Sequence, residues 1–337
     1  MRLIVQIPCF NEADTLAEVV RSIPRAIAGL DGVEVLVIDD GSTDGTSELA
    51  RALGVEHVLR HARNRGLAAS FATGLDACLR LGADIIVNTD GDNQYCQEDI
   101  PLLIAPILAG QAEIVVGDRQ VHTIGHFSAQ KKQLQAIGSW TVRTMSGTAV
   151  PDAPSGFRAY SREAALRLNI VTSYSHTLET LMQAGAKRMA IAYVPVRTNA
   201  QSRESRLFKS VWHYIQRSAA TLLRAYAMYQ PLKVFLGIGA AIGLLGILGV
   251  LRFLYFYAGG SGAGHVQSLV LSAVLLIVGF QIGMIGLLAD LIAANRRLME
   301  DVLYRIRKQD ADGWRTRRPD DPDATAAAGD HRVPGST

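Results

Sequence analysis

Asp84-Ile-Ile-Val-Asn-Thr-Asp90-Gly-Asp92-Asn-Gln94 is a short apolar run that stops at two carboxylates two residues apart. Two other segments are built the same way. Leu3–Ile7 ends in Pro8-Cys-Phe-Asn-Glu12, and Val33–Ile38 ends in Asp39-Asp-Gly-Ser42. Brief apolar runs bounded by polar turns read as strands buried on both faces. Between them lie segments with helical spacing: Glu12–Ala28, with Asn11 as the expected N-cap, Thr43–Leu53 and Leu67–Leu81. Val55–Leu59 and Ile114–Val116 add further strands. This alternation predicts an α/β fold, a mainly parallel sheet flanked by helices. Ligands of such sheets bind at the carboxyl ends of the strands, so the three polar motifs are expected to share one crevice.

The chemistry is narrowed first by what is missing. No GxGxxG follows the first strand, and Gly41-Ser-Thr-Asp-Gly45 lacks the lysine of a phosphate-binding P-loop. Neither HExxH nor GxSxG occurs. The 337 residues carry a net charge of +3, without the basic excess of a nucleic-acid binder. Cys9, Cys78 and Cys96 have no CxxC spacing, which argues against a disulfide framework or zinc site and fits a reducing compartment. What remains is the acid pair. Asp90 and Asp92, just past a buried strand, can both turn toward one hard cation, and oxygen ligands completed by water and phosphate suit Mg2+ or Mn2+. A cation there would bridge a diphosphate and neutralise its charge as it leaves.

The composition is 49% hydrophobic and 19% charged, and the apolar residues are concentrated late in the chain. Val234–Leu251 and Val266–Ala289 contain no charge, and about 20 residues suffice to cross a bilayer core. Spans are predicted over 232–258 and 266–293, with glycines suited to close helix packing. Arg252, near the outer end of the first span, snorkels in this reading. Arg197–Lys233 holds seven Lys/Arg against the single acid Glu204, Arg296 and Arg297 follow the second span, and Gly259–His265 has no Lys or Arg. The positive-inside rule then puts both chain ends in the cytoplasm of an integral membrane protein. The start, Met1–Pro8, reads as a strand and not as a signal peptide. Residues 207–231 read as amphipathic juxtamembrane helices, 294–309 as a cytoplasmic helix and 310–337 as a disordered tail. The soluble part is 1–206.

Pro8-Cys-Phe-Asn-Glu12, Asp39-Asp-Gly-Ser-Thr-Asp-Gly-Thr46, Asn64-Arg-Gly66, Asp90-Gly-Asp92-Asn-Gln94 and Asp152-Ala-Pro-Ser-Gly-Phe-Arg158 occur in that order. Together they resemble the family 2 glycosyltransferases of GT-A fold, in particular the polyprenyl-phosphate sugar synthases of the dolichol-phosphate mannose synthase type. The likeness covers roughly residues 3–207, and the paired spans resemble the membrane-anchored bacterial members that act on undecaprenyl phosphate. It implies a nucleotide-sugar donor (UDP- or GDP-linked), a polyprenyl-phosphate acceptor and self-association through the spans. Pro8, Phe10, Glu12, Asp39, Asp40 and Gly66 would line the nucleotide pocket. Asp90, Asp92 and Gln94 would hold metal and diphosphate. Arg119 would face the phosphates or the sugar, and Arg158 an anionic group of donor or acceptor. Arg203-Glu-Ser-Arg206-Leu resembles a family Gly-Glu-Ser-Lys-Leu, so Arg206 would replace a phosphate-binding lysine. An arginine of the family falls on Ala200 here, and Arg203 or Arg197 would compensate. Lys131 and Lys132, with Arg158 and Arg203, are candidates for the acceptor phosphate.

A phosphate acceptor is already largely dianionic near neutrality and needs no general base, whereas a hydroxyl acceptor does. The expected catalytic set is therefore electrostatic: Asp92, Arg119 and Arg158, with Asp152 as the nearest acid to the acceptor or as an orienter of Arg158. Direct displacement with inversion follows. The competing readings are a membrane glycosyltransferase with a hydroxyl acceptor and, from another class, a non-catalytic sugar-nucleotide-binding scaffold.

Overall fold

Residues 1–120, 138–139, 141–171, 176–199, 230–260 and 266–316 are described by the computed structural model. Among them, 1–199 with 301–316 form one compact unit and 230–260 with 266–300 another.

Strand β1 (Arg2–Cys9) is buried at every position but its first, as a central strand covered on both faces must be. It pairs in parallel with β2 (Gly32–Asp39), placing Cys9 beside Asp39, and with β4 (Ile85–Asn88), placing Gln6 beside Asn88. Beyond β2 lies β3 (His57–Arg60), also parallel. On the other side, β6 (Arg158–Ser161) runs antiparallel between β4 and β5 (Ile114–Asp118), and β7 (Ile191–Pro195) closes the edge parallel to β5. The seven-stranded order is β3-β2-β1-β4-β6-β5-β7. The predicted mainly parallel α/β sheet is thus present, with one reversed strand. The reversal brings the start of β6 to the edge where the other strands end.

The helices are α1 (Ala13–Ser22), α2 (Thr46–Ala52), α3 (Leu67–Arg80), α4 (Ile100–Leu108), α5 (Arg162–Arg167) and α6 (His176–Ala186). The first helix is shorter than its apolar spacing suggests. Ile23 precedes Pro24 and is extended, since a residue before proline is pushed out of the helical region. Asn11 does not cap it. Asn11 has a φ of 55°, and its side-chain oxygen instead accepts the Thr43 amide at 2.9 Å. The α1 N-terminus is served from the neighbouring loop, Ala13 N donating to Asp44 at 3.0 Å and Glu12 N to Thr46 Oγ1 at 3.1 Å. Two motifs distant in sequence are thereby locked together.

In the second unit, α7 (Pro231–Ala258) packs on the first part of α8 (Val266–Thr316). Both are long and apolar enough to cross a membrane. They meet backbone to backbone: a Cβ on Gly239 would lie 2.6 Å from the Gly279 carbonyl oxygen, and one on Gly279 2.7 Å from that of Gly239. Helix α8 runs without a break past 293, and 310–316, read from the sequence as tail, is helical. Its final turns are fastened within the first unit. Tyr304 donates to Glu163 at 2.8 Å, Arg307 to the Leu168 carbonyl at 2.9 Å, and Arg162 pairs with Asp312 at 2.5 Å. The expected juxtamembrane helices of 207–231 and the remaining tail lie almost wholly outside the described residues.

Candidate active site

The parallel strands β2, β1, β4, β5 and β7 all end at one sheet edge, and β6 begins there. The loops after β1 and β4 meet directly: Thr15 Oγ1 donates to the Gly91 carbonyl at 2.6 Å and stands 3.3 Å from Glu12 Oε2. Gly91 is closely flanked: a Cβ there would sit 3.0 Å from Cys9 Sγ and 3.3 Å from Glu12 Cγ, so a side chain would push both neighbours back. Burial, then the charges of Glu12, Asp39, Asp90 and Asp44, drive the Cys9 thiol pKa well up. The acids of three motifs therefore do converge on one point.

Asp39 and Asp40 are sealed and spend their oxygens on the protein. Asp39 accepts the Ser42 amide at 2.8 Å and the Ser47 hydroxyl. Asp40 accepts the amides of Arg65 and Gly66 at 2.9 and 2.8 Å, and His61 Nδ1 lies 2.7 Å from it. They shape the loops, Gly66 supplying the left-handed φ of 91° that starts α3. Pro8 is buried inside β1, whereas Phe10, 44% exposed, stands at the strand end with a face that a base could cover.

Asp90 differs from these. No described residue donates a hydrogen bond to its carboxylate, and burial followed by the charge of Asp92 pushes its pKa up to about 7 against the pull of Arg119. Gly156 lies against it so closely that a Cβ there would be 2.8 Å from Asp90 Oδ2. The Gln94 amide donates to Asp92 at 3.2 Å, which turns the second carboxylate back over the same loop. No group of three or more His, Cys, Asp or Glu among the described residues is set to hold a metal. An undonated carboxylate beside a second one still fits a hard cation that takes its other ligands from water and phosphate.

Arg119, just after β5, makes a two-pronged pair with Asp152, Nε to Oδ2 at 2.7 Å and Nη2 to Oδ1 at 2.9 Å. Both are largely buried. Asp152 orients Arg119, and not Arg158 as the sequence suggested. Arg158 needs a second correction. It is fully buried and gives its donors to the carbonyls of Ser155, Thr177 and Ala153 and to Thr180 Oγ1, at 2.7–2.8 Å. These bonds tie the loop before β6 to α6. Arg197 is likewise spent, on Asp99 at 2.7 Å and Glu98 at 3.3 Å. Lys131, Lys132, Arg203 and Arg206 lie outside the described residues.

Sequence reasoning passed over the residues that frame the acid loop. Gln6 Nε2 donates to Asn88 at 2.9 Å, and Asn88 Nδ2 to the Gly156 carbonyl at 2.8 Å. The Tyr95 hydroxyl accepts the Gly156 amide at 2.9 Å, while its ring stacks on Phe157. Asn199 Nδ2 lies 3.1 Å from the Asn93 carbonyl oxygen. Tyr95 directly follows Gln94 and was within reach of a motif reading; Asn199 left no signal.

Residues 4–168 match glycosyl transferase family 2, and residues 230–294 match the GtrB C-terminal hairpin. The chain is a family 2 glycosyltransferase. Among relatives of this glycosyltransferase, the polyprenol monophosphomannose synthase of Mycolicibacterium smegmatis is 28% identical over 206 residues, 58% of this chain and 76% of that one. The undecaprenyl-phosphate 4-deoxy-4-formamido-L-arabinose transferase of Pseudomonas savastanoi pv. phaseolicola is 27% identical over 317 residues, 90% and 88% of the two chains. The glucosyl-3-phosphoglycerate synthase of Mycobacterium tuberculosis, solved with Mn2+ and UDP-glucose, superposes with a TM-score of 0.50 at 25% identity over 67% of this chain and 79% of that one. The GT-A fold and the family expected from the motifs are thus both present. The relatives named for polyprenyl-phosphate acceptors carry different sugars.

Proposed function

We propose that this glycosyltransferase moves a hexose-type sugar from a UDP- or GDP-sugar to a polyprenyl phosphate at the cytoplasmic face of the membrane, with inversion at the anomeric carbon. The observation that carries the reading is the presence, on one chain, of an acid pair suited to a diphosphate and of an apolar hairpin of the GtrB type. Asp90 and Asp92, with Gln94 nearby, would hold Mg2+ or Mn2+, which when bound offsets the charge of the nucleoside diphosphate. Arg119 is held rigid by Asp152, with one guanidinium nitrogen unassigned to any described partner, and would add fixed positive charge on the same side of the crevice. Phe10 and Glu12 would border the nucleoside.

The acceptor phosphate is largely dianionic already, so its oxygen attacks the anomeric carbon without losing a proton to the enzyme. The bond to the departing diphosphate breaks on the opposite face. The locked Arg119–Asp152 pair favours this over a hydroxyl acceptor, because the acid best placed to serve as base is committed to an arginine. Membrane insertion through α7 and α8, with both ends cytoplasmic, would keep the enzyme in the membrane that holds the lipid acceptor. The test is label transfer by the purified chain in detergent, with undecaprenyl phosphate, Mg2+ or Mn2+, and a panel of labelled UDP- and GDP-sugars. Label entering the organic phase from one donor supports the reading. Nucleoside diphosphate release with no labelled lipid would transfer the assignment to a hydroxyl acceptor, and nucleotide binding with neither product to the scaffold.

A further inference from the structure

The chain that leaves β7 turns back along the loop carrying the acid pair. Val196 N donates to the Asp118 carbonyl at 2.9 Å, and the residues after it lie antiparallel to Gln94–Cys96, with Thr198 bridged to Tyr95. Cys96 N donates to the Arg197 carbonyl at 3.2 Å, and Asn199 N to the Gln94 carbonyl at 2.9 Å. The Asn199 side chain adds a further grip. Its Nδ2 stands 3.1 Å from the Asn93 carbonyl oxygen, 3.2 Å from Asn93 Oδ1 and 3.3 Å from the Tyr95 carbonyl oxygen. The amide hydrogens of a residue 106 positions beyond Asn93 are thus shared among the oxygens of one turn.

The turn it grips is left-handed. Asn93 sits between Asp92 and Gln94 with a φ of 58°, a conformation that asparagine bears better than most residues but that still needs its surroundings to fix it. The reversal is what lets the Gln94 amide reach Asp92 Oδ1 at 3.2 Å. The two halves of the loop are fixed differently. Gly91 is held from the α1 side by Thr15, at 2.6 Å on its carbonyl. The Asn93 carbonyl receives a hydrogen bond, among the described residues, only from Asn199. Asn199 is itself exposed, so these bonds shape the loop more than they stabilise the fold.

We propose that Asn199 is a positioning residue for the divalent cation: its amide hydrogens lock the left-handed Asn93 turn and so hold Asp92 and Gln94 at the spacing that admits Mg2+ or Mn2+. It acts through those two residues and not as a ligand. A cation with few protein ligands depends on the groups that orient them, and here that group lies outside the motif, on the segment after β7. The inference rests on the cation reading of Asp90 and Asp92 and deepens it.

Paramagnetic resonance of Mn2+ titrated into the purified full chain, with UDP or GDP present, tests it without any sugar transfer. Readings are taken at a temperature where every variant is folded. Asn199→Ala is expected to weaken Mn2+ binding about tenfold, the scale on which the supports of metal ligands act, with the thermal unfolding midpoint unchanged. Asn199→Asp separates positioning from charge. It keeps the shape of the side chain and adds a negative charge, but has no hydrogen to give to the turn. A positioning amide requires binding weakened as in the alanine variant, whereas a cation ligand or a simple charge effect requires tighter binding. Tighter binding in Asn199→Asp overturns the proposal. So does Mn2+ affinity unchanged in both variants, whether or not the unfolding midpoint falls. An unmutated chain that binds Mn2+ with neither nucleotide would instead remove the cation reading of Asp90 and Asp92, and the role of Asn199 with it.

Discussion

Asp90 and Asp92 are close in sequence to many ordinary turn acids, yet their surroundings set them apart. Asp39 and Asp40 fill their lone pairs with amides and a hydroxyl, while the Asp90 carboxylate accepts no hydrogen bond from a described residue. Replacing Asp92 by Asn is expected to lower kcat/KM for sugar transfer by about 10²–10³, the scale of losing one preorganised charge contact in a site. Equilibrium binding of the free nucleoside should change far less, and a calorimetric titration beside the transfer assay separates the two. Gly156→Ala should leave the fold intact and depress transfer, because the new methyl would press on Asp90 from 2.8 Å. A higher divalent-cation requirement is the signature to measure, with unchanged thermal unfolding as the control. Arg119→Lys removes the two-pronged geometry that a point-charge ammonium does not reproduce. It is expected to cut turnover while Arg119→Ala also destabilises the fold by about 3–5 kcal/mol, through the buried Asp152 charge left alone. Motif spacing pointed to these acids, and the family resemblance to Arg119. It misjudged Arg158 because a motif records which residue is needed and not which way it points: this arginine is needed by Ala153, Ser155 and Thr177 carbonyls.

Helix α6 and strand β6 were absent from the sequence reading for physical reasons. Strand β6 is four residues long, contains Arg158 and lacks a continuous apolar run; its place comes from pairing on both sides with β4 and β5. Helix α6 is buried along most of its length, polar residues included, so its periodicity is blurred. At its start His176 is 1% exposed with its ring stacked on Phe71 at 4.2 Å. Burial, aided by the Arg158 charge, pushes its pKa down to about 3. The folded protein thus holds the neutral ring, while the unfolded chain takes up a proton below roughly 6.5. Stability is full above that value and is lost as the pH falls from it toward 3, at up to about 1.4 kcal/mol per unit. Thermal unfolding in detergent at pH 7.0 and 5.5 should show this drop, and His176→Phe should flatten it. The helix-end exchange between Asn11 and Asp44 belongs to the same level. Asn11 was legible as a capping type of residue, but its partner lies 32 positions away on another loop.

For the molecule as a whole, the hairpin and its charge flanks make the strongest prediction about placement. Fusion reporters after Thr337 are expected to give cytoplasmic signals, and a reporter in the loop between α7 and α8 a signal from the opposite side. The reverse pattern would separate the crevice from a cytoplasmic donor. Apolar run length and strand–helix alternation are local properties, so they could be read directly: the α/β sheet, two long apolar helices and the acid pair after β4 all follow from neighbours along the chain. The reversed β6, the sealing of Asp39, Asp40 and Arg158, the Arg119–Asp152 pair and the docking of Tyr304 near Glu163 depend on contacts between residues far apart in sequence. Which polar groups stay open to a ligand is settled by that competition for partners, because a buried carboxylate or guanidinium is satisfied by whichever groups the fold brings to it.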